Sequence, residues 1–169
     1  PVNKIVLIGQ SDEEIAKVIS DYSPDVIAIS VLFSNLLDSA GNVARIVKKI
    51  NKNIKVIIGG NCLSNAISDY KYAMAYKNTN LPDYINYLED ENFDCAIAGE
   101  GEVAVKKYAN AVINEEDISK VPGLVKKVAH KKYIINDTAR IHFMDVLPRP
   151  ARHLVNMEGY FKIGAFHSS

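Results

Sequence analysis

The chain has 169 residues, close to the size of one ordinary domain, which argues against a complete multidomain enzyme. Apolar residues make up 48% of it and charged residues 24%, a composition that can build a hydrophobic core. Its 20 basic and 20 acidic side chains balance, which argues against a nucleic acid or an anionic membrane as a partner. No apolar run approaches the roughly 20 residues of a membrane span, and no leader pattern is visible, so we expect a cytoplasmic location.

Short β-branched runs alternate with amphipathic stretches through the first two thirds of the chain. Residues 4–8 (KIVLI) predict a strand, and Ser11 with Glu14 forms a capping-box pattern that opens a helix to about Asp21. A Ser-Pro pair ends that helix. The nearly all-apolar run at residues 25–30 then predicts a strand that is covered on both faces.

The same alternation continues along the chain. The next predicted elements are a helix at residues 36–50, a strand at 55–58, helices at 65–76 and 82–90, a strand at 94–98 and a helix that ends near Ile113. Four strands that alternate with helices predict a three-layer α/β fold of the Rossmann or flavodoxin type, in which helices flank a parallel sheet.

The pattern changes after the Pro-Gly pair at residues 122–123. Residues 124–128 and 133–135 predict an antiparallel hairpin, and residues 136–169 have no regular period. We therefore expect an α/β domain over residues 1–135, followed by an extended linker strap over residues 136–169.

Glycine, serine and other polar residues follow all four predicted strands. Ligands of open parallel sheets bind beyond the carboxyl ends of the strands, where glycine lets a ligand approach the main chain. For any single loop, the ordinary preference of short turns for glycine and serine is the stronger explanation. The candidate ligand-binding residues are Gly9, Gln10, Ser11, Ser30, Val31, Leu32, Phe33, Ser34, Gly59, Gly60, Asn61, Gly99, Glu100, Gly101 and Glu102.

Two of these loops carry motifs in a recognisable order: residues 30–32 (SVL) and, after 26 intervening residues, residues 59–60 (GG). This pair resembles the SxL and GG motifs of cobalamin-binding domains. In that family the serine hydroxyl meets the dimethylbenzimidazole tail and the glycines leave room for it. GEGE at residues 99–102, PGL at residues 122–124 and the hairpin narrow the resemblance to the N-terminal cobalamin-binding domain of radical S-adenosylmethionine (radical SAM) enzymes. Residues 147–154 are similar to the strap that leads into the catalytic barrel of that family.

The resemblance implies that the chain is the cobalamin-binding module of a longer enzyme, most often a methyltransferase. Cobalamin would be the cofactor of this domain. The four-iron four-sulfur cluster and S-adenosylmethionine would belong to a radical SAM barrel outside this chain, because the CxxxCxxC triad that holds the cluster is absent here. Cys62 and Cys95 are expected to be buried reduced thiols, with a disulfide between them as the alternative.

Domains of the methionine-synthase type also carry a DxHxxG motif well before SxL, and its histidine binds cobalt from below. Only 29 residues precede Ser30, so we expect the strand and helix that carry this motif to be missing and the full protein to extend upstream. No histidine lies near the required strand end. We therefore expect cobalt to be bound without a histidine ligand; the histidines are His130, His142, His153 and His167.

Residues 99–104 also match the GxGxxA fingerprint of dinucleotide-binding loops. The match falls on the fourth predicted strand, however, and Glu100 and Glu102 would place two like charges against a pyrophosphate. A nucleotide-binding or protein-interaction domain without cobalamin is therefore the alternative function. The two glutamates themselves could contact the corrin amides or stabilise the first turn of a helix through its dipole.

Overall fold

The computed structural model describes residues 11–77 and 83–143 and, beyond these, residues 145, 147–149, 153 and 158. The predicted strand at residues 4–8, together with Gly9 and Gln10, lies outside the described residues. So does most of the predicted strap.

Five described strands form one mixed sheet with the order β1-β2-β3-β4-β5. They are β1 (Val26–Ser30), β2 (Lys55–Gly59), β3 (Cys95–Ile97), β4 (Leu124–Ala129) and β5 (Lys132–Ile135). The first three strands are parallel, whereas β4 runs antiparallel to β3 and forms an antiparallel hairpin with β5. The predicted α/β fold of the Rossmann or flavodoxin type is confirmed, and the hairpin extends the same sheet.

Within residues 11–77 and 83–143, four α-helices connect and cover the strands: α1 (Asp12–Tyr22), α2 (Leu37–Ile50), α3 (Asn61–Ala75) and α4 (Gly101–Ile113). Short 3-10 helices lie at Ser34–Leu36, Asp83–Glu89 and Ile118–Lys120. The predicted capping box of α1 is present, because the Glu14 N–H donates to Ser11 Oγ at 3.3 Å and the Ser11 N–H donates to Glu14 Oε2 at 2.8 Å.

Two helix predictions need correction. The helix predicted at residues 65–76 begins four residues earlier, because Gly60 adopts a φ of +98° and turns the chain into α3 directly after β2. The segment predicted as a helix at residues 82–90 is a 3-10 helix within its described part, Asp83–Glu89.

Helices cover both faces of the sheet. On one face α4 packs Ala104 and Tyr108 against Ile57, Cys95 and Ile97. On the other face α2 and α3 supply most of the partners of Val56 and Ile58. The buried clusters on the two faces therefore enclose β2 and β3 between layers of helices, as the three-layer prediction requires.

Strand β1 is the exception to this burial. The prediction that both of its faces are covered is wrong for the described residues, since Ala28 and Ser30 are exposed. Both lie on the face that α4 covers over β2 and β3, because the register pairs Ala28 with Ile57 and Ser30 with Gly59. Helix α4 reaches Val26 but leaves the carboxyl half of β1 open.

Both cysteines are free and buried, which confirms the expectation of reduced thiols. Cys95 lies against Tyr108 in the core beneath α4. Within the described part of the chain, every helix is too short or too polar to cross a membrane.

Candidate functional site

The loops that follow β1 and β2 meet at the carboxyl edge of the sheet. The Val31 N–H donates to the Gly59 carbonyl at 2.8 Å, and the Cys62 N–H donates to the Val31 carbonyl at 3.2 Å. Parallel pairing sets Ser30 directly beside Gly59. The SVL and GG motifs, which are 26 residues apart in sequence, are therefore neighbours in the fold.

Small residues leave an open strip on the α4 face beside this junction. Ala28 and Ser30 are exposed there, and Gly59, next to Ser30, has no side chain to close the strip. No described residue forms a hydrogen bond with the Ser30 hydroxyl, so this group can donate to or accept from a ligand. The strip can receive a flat, partly polar group along the sheet surface.

The two glycines also meet a requirement of the main chain itself. A Cβ atom on Gly60 would lie 2.5 Å from the Val31 carbonyl oxygen and 2.8 Å from the Val31 nitrogen. On Gly59 it would lie 3.1 Å from the Ile97 carbonyl oxygen. Gly60 is thus needed for the close approach of the two loops, in addition to any room that it leaves for a ligand.

The rest of the β1 loop presents apolar surface. The Val31 side chain is buried, with 1% of its surface exposed, whereas Leu32 and Phe33 are 56% and 67% exposed. Ser34 begins the following 3-10 helix, and Asn61, the first residue of α3, is exposed. This edge therefore combines two large apolar side chains with polar groups, a combination typical of small-molecule sites.

The loop after β3 is already engaged by the chain's own residues. The Gly99 N–H donates to Ser64 Oγ at 3.0 Å, and the Ile141 N–H donates to Glu100 Oε2 at 2.7 Å. Gly99 has a φ of +82°, and a Cβ there would lie 2.8 Å from Thr138 Cγ2. Gly101 and Glu102 form the first turn of α4, where the carboxylate of Glu102 is favoured by the helix dipole.

The chain after the hairpin folds back onto the domain, which the sequence did not indicate. The Asn136 side-chain amide donates to the Ser119 and Val121 carbonyls, both at 2.7 Å, and the Gly123 N–H donates to the Asp137 carbonyl at 2.9 Å. Residues 136–141, predicted as the start of a strap, are therefore fixed to the domain.

Most of the predicted site residues share this edge. Residues 30–34, 59–61 and 99–102 surround the carboxyl ends of β1, β2 and β3. Ser11 is a different case, because its N–H and hydroxyl are both used in the capping box of α1. Ser64 was missed by the sequence analysis, since its role depends on where α3 begins.

The ionisable groups with strongly shifted pKa values lie away from this edge. Burial opposes ionisation of Glu89, but hydrogen bonds from Tyr133, Lys127 and the Lys131 main chain lower its pKa to about 2. Burial raises the pKa of the Cys95 thiol to about 12. Glu89 fastens the hairpin to the 3-10 helix at Asp83–Glu89, and Cys95 belongs to the core. Both have structural roles.

Within the described residues, no group of three or more His, Cys, Asp or Glu side chains could hold a metal ion. His130 lies at the hairpin turn, where its Nδ1 is 3.2 Å from Glu89 Oε2. His142 and His153 follow the hairpin in the chain. The fold is that of an open α/β domain, a class in which ligands bind beyond the carboxyl ends of the parallel strands.

The model of one protein family, described as the B12 binding domain, matches residues 4–77. This range includes the SVL and GG motifs and the loops that they form. Residues 4–77 are thus similar to a B12-binding domain, in agreement with the resemblance to cobalamin-binding proteins that the motifs predicted.

Two curated proteins are similar to the chain. An uncharacterized methyltransferase of Pyrococcus horikoshii is 28% identical over 87% of this chain and 28% of its own length. A cytidylyl-2-hydroxyethylphosphonate methyltransferase of Streptomyces wedmorensis is 25% identical over 95% of this chain and 31% of its own length. The chain thus spans less than a third of these relatives.

Two solved structures of the radical S-adenosylmethionine methyltransferase TsrM from Kitasatospora setae share the fold. The one with cobalamin and an iron-sulfur cluster bound has a TM-score of 0.56 and 13% identity, over 83% of this chain and 23% of TsrM. The one with tryptophan and an S-adenosylmethionine analogue has a TM-score of 0.52 and 12% identity, over 75% of this chain and 21% of TsrM.

Proposed function

We propose that this chain binds cobalamin for a radical SAM enzyme, with the corrin across the strand ends and the nucleotide tail in the strip beside Ser30. The observation that carries this proposal is the exposed Ser30 hydroxyl beside Gly59, inside the stretch that matches the B12-binding family. Cobalamin supplies a cobalt-bound methyl group, and the domain's task is to hold and orient that cofactor.

The residues at this edge fit such a ligand. Ala28, Ser30 and Gly59 leave the sheet surface free of bulky side chains, which a flat aromatic base requires. The Ser30 hydroxyl can donate a hydrogen bond to a ring nitrogen of that base. Leu32 and Phe33 offer apolar surface that would exclude water from the bound cofactor, and covering them adds favourable burial.

Cobalt is held without a histidine from this chain in our proposal. His130, His142 and His153 belong to the hairpin turn and the chain beyond it, whereas the cofactor would lie over β1 and β2. The iron-sulfur cluster and S-adenosylmethionine are assigned to a separate radical SAM barrel, because both cysteines of this chain are buried in the core.

The parent enzyme is proposed to be a methyltransferase. Both curated relatives carry that name, and each is more than three times as long as the matched region. A longer protein would therefore supply the transferase chemistry and the substrate contacts. A cytoplasmic location stays a prediction from the sequence.

The dinucleotide-binding alternative is less well supported. Such a loop offers free main-chain N–H groups to a pyrophosphate. Here the Gly99 N–H is already bonded to Ser64, and Glu100 accepts the Ile141 N–H. A carboxylate in the first turn of α4, on Glu102, would further repel a phosphate.

Titration of the chain with hydroxocobalamin, followed by corrin absorbance, tests the proposal. The informative variant is Ser30→Leu, which fills the open strip at an exposed position with extended backbone and is expected to abolish binding while the urea midpoint stays unchanged. Ser20→Leu, at an exposed serine near the end of α1, is the matched control and should bind like the wild type.

Two results would contradict the cobalamin assignment: no spectral change with the wild-type chain, or equal affinity of the wild type and Ser30→Leu. A chain that binds NAD or ATP in place of cobalamin would support the alternative function.

A further inference from the structure

The Ser64 hydroxyl connects two of the loops at the carboxyl edge. Ser64 lies in the first turn of α3 and is half-buried. Its Oγ accepts the Gly99 N–H at 3.0 Å and donates to the Gly60 carbonyl at 3.1 Å. A serine hydroxyl has one donor hydrogen and two acceptor sites, so both bonds form at the same time.

These two loops have no other direct hydrogen bond between their described main chains. Strands β2 and β3 pair as far as Gly59 and Ile97, and beyond that point the loops separate toward α3 and α4. Gly60 and Gly99 both have positive φ and lack side chains that would restrain them. Among the described residues, the Ser64 hydroxyl is therefore the group whose hydrogen bonds bridge the two loops beyond the strand ends.

The bridge also reaches the segment after the hairpin. Thr138 packs over Gly99, and the Ile141 N–H is held by Glu100, the next residue of the same loop. A displacement of the Gly99 loop would therefore move residues 138–141 as well. Ser64 thus connects the GG loop, through the Gly99 loop, to residues 138–141.

We infer that Ser64 is a positioning residue of the proposed cobalamin site. This inference rests on the proposed function. Ser64 holds the Gly60 and Gly99 loops in the binding-competent arrangement before the ligand arrives. A ligand that binds only this arrangement loses apparent affinity in proportion to the fraction of chains that leave it.

The same helix offers a control for a merely structural role. The Ser68 hydroxyl donates to the Ser64 carbonyl at 3.0 Å, which is the same bond to the residue four positions earlier that Ser64 makes to Gly60. Ser68 is exposed, however, and it touches no strand-end loop among the described residues. Ser68→Ala therefore removes a hydrogen bond within the helix and leaves the bridge from Ser64 to Gly99 intact.

The experiment compares wild type, Ser64→Ala, Ser64→Thr and Ser68→Ala in three measurements. These are hydroxocobalamin affinity, urea stability without ligand, and hydrogen exchange of the Gly99 amide in the ligand-free chain. Ser64→Ala is expected to weaken binding about five- to tenfold and to speed Gly99 exchange. Ser64→Thr keeps a hydroxyl, so its cobalamin affinity and Gly99 exchange rate should match those of the wild type. Ser68→Ala should change neither the affinity nor the exchange rate.

The outcomes separate this inference from the proposed function. If the wild type binds cobalamin and Ser64→Ala binds equally well, the positioning role is wrong while the proposed function stands. An unchanged Gly99 exchange rate in Ser64→Ala would overturn the bridge itself, whether or not cobalamin binds. Equal weakening by Ser64→Ala and Ser68→Ala would reduce Ser64 to a helix-stabilising residue. Failure of the wild type to bind would refute the proposed function.

Discussion

The replacement Gly60→Ala tests the main-chain contact that brings the SVL and GG loops together. The added Cβ would lie 2.5 Å from the Val31 carbonyl oxygen, far inside van der Waals contact, and φ at this position is +98°. A non-glycine residue in such a conformation costs about 1–3 kcal/mol, and overpacking adds about 1–3 kcal/mol. We therefore expect the free energy of unfolding to fall by roughly 2–6 kcal/mol.

Gly41→Ala is the matched control for this prediction. Gly41 lies within α2, has no positive φ, and an added Cβ there meets only Asp90 Oδ2, at 3.5 Å. Because alanine favours a helix over glycine, this variant should gain about 0.5–1 kcal/mol. Urea unfolding followed by circular dichroism measures both variants. A loss below 1 kcal/mol for Gly60→Ala, or the same sign of change in both, would refute the close-approach argument.

Three further predictions concern the core, the hairpin and the cofactor. The pKa of Glu89 in the folded chain, about 2, lies below the ordinary 4.5, so its stabilisation is present above about pH 4.5 and lost as the pH falls toward 2. At pH 7 the free energy of unfolding of the wild type should therefore exceed that of Glu89→Gln by roughly 1–3 kcal/mol. The urea midpoints of the two proteins should converge as the pH falls to 2, and a difference that does not change with pH would contradict this prediction. Because Cys62 and Cys95 are buried, neither thiol should react rapidly with Ellman's reagent in the native chain at pH 8, and both should react after denaturation. A thiol that reacts rapidly in the native chain would contradict the burial of that cysteine. The electron paramagnetic resonance spectrum of bound Co(II) cobalamin should lack nitrogen superhyperfine splitting, whereas a resolved triplet would establish a nitrogen ligand.

Local signals in the sequence were sufficient for much of the fold. The Ser11 and Glu14 pair fixed the start of α1 because both of its hydrogen bonds lie within one helical turn. The apolar runs located the strands, since each run is short and bounded by turn residues. The neighbouring positions of the SVL and GG motifs followed from their places after consecutive parallel strands.

The features that the sequence did not predict depend on contacts between distant residues. Helix α3 begins at Asn61 because Gly60 turns the chain against Val31, about 30 residues earlier. The exposure of Ser30 depends on how far α4 reaches over β1, which no local pattern records. The bridge from Ser64 to Gly99 and the bond from Ile141 to Glu100 join residues 35 and 41 positions apart.

All described glycines with positive φ lie at one edge of the sheet: Gly60, Gly99 and Gly123. Glycine samples more backbone conformations than other residues in the unfolded chain, so ordering this edge costs more entropy than ordering the same length elsewhere. The edge should therefore open locally at lower free energy than the central strands. A ligand that closes it stabilises the folded chain by mass action. The melting temperature of this domain would then report the free concentration of its ligand.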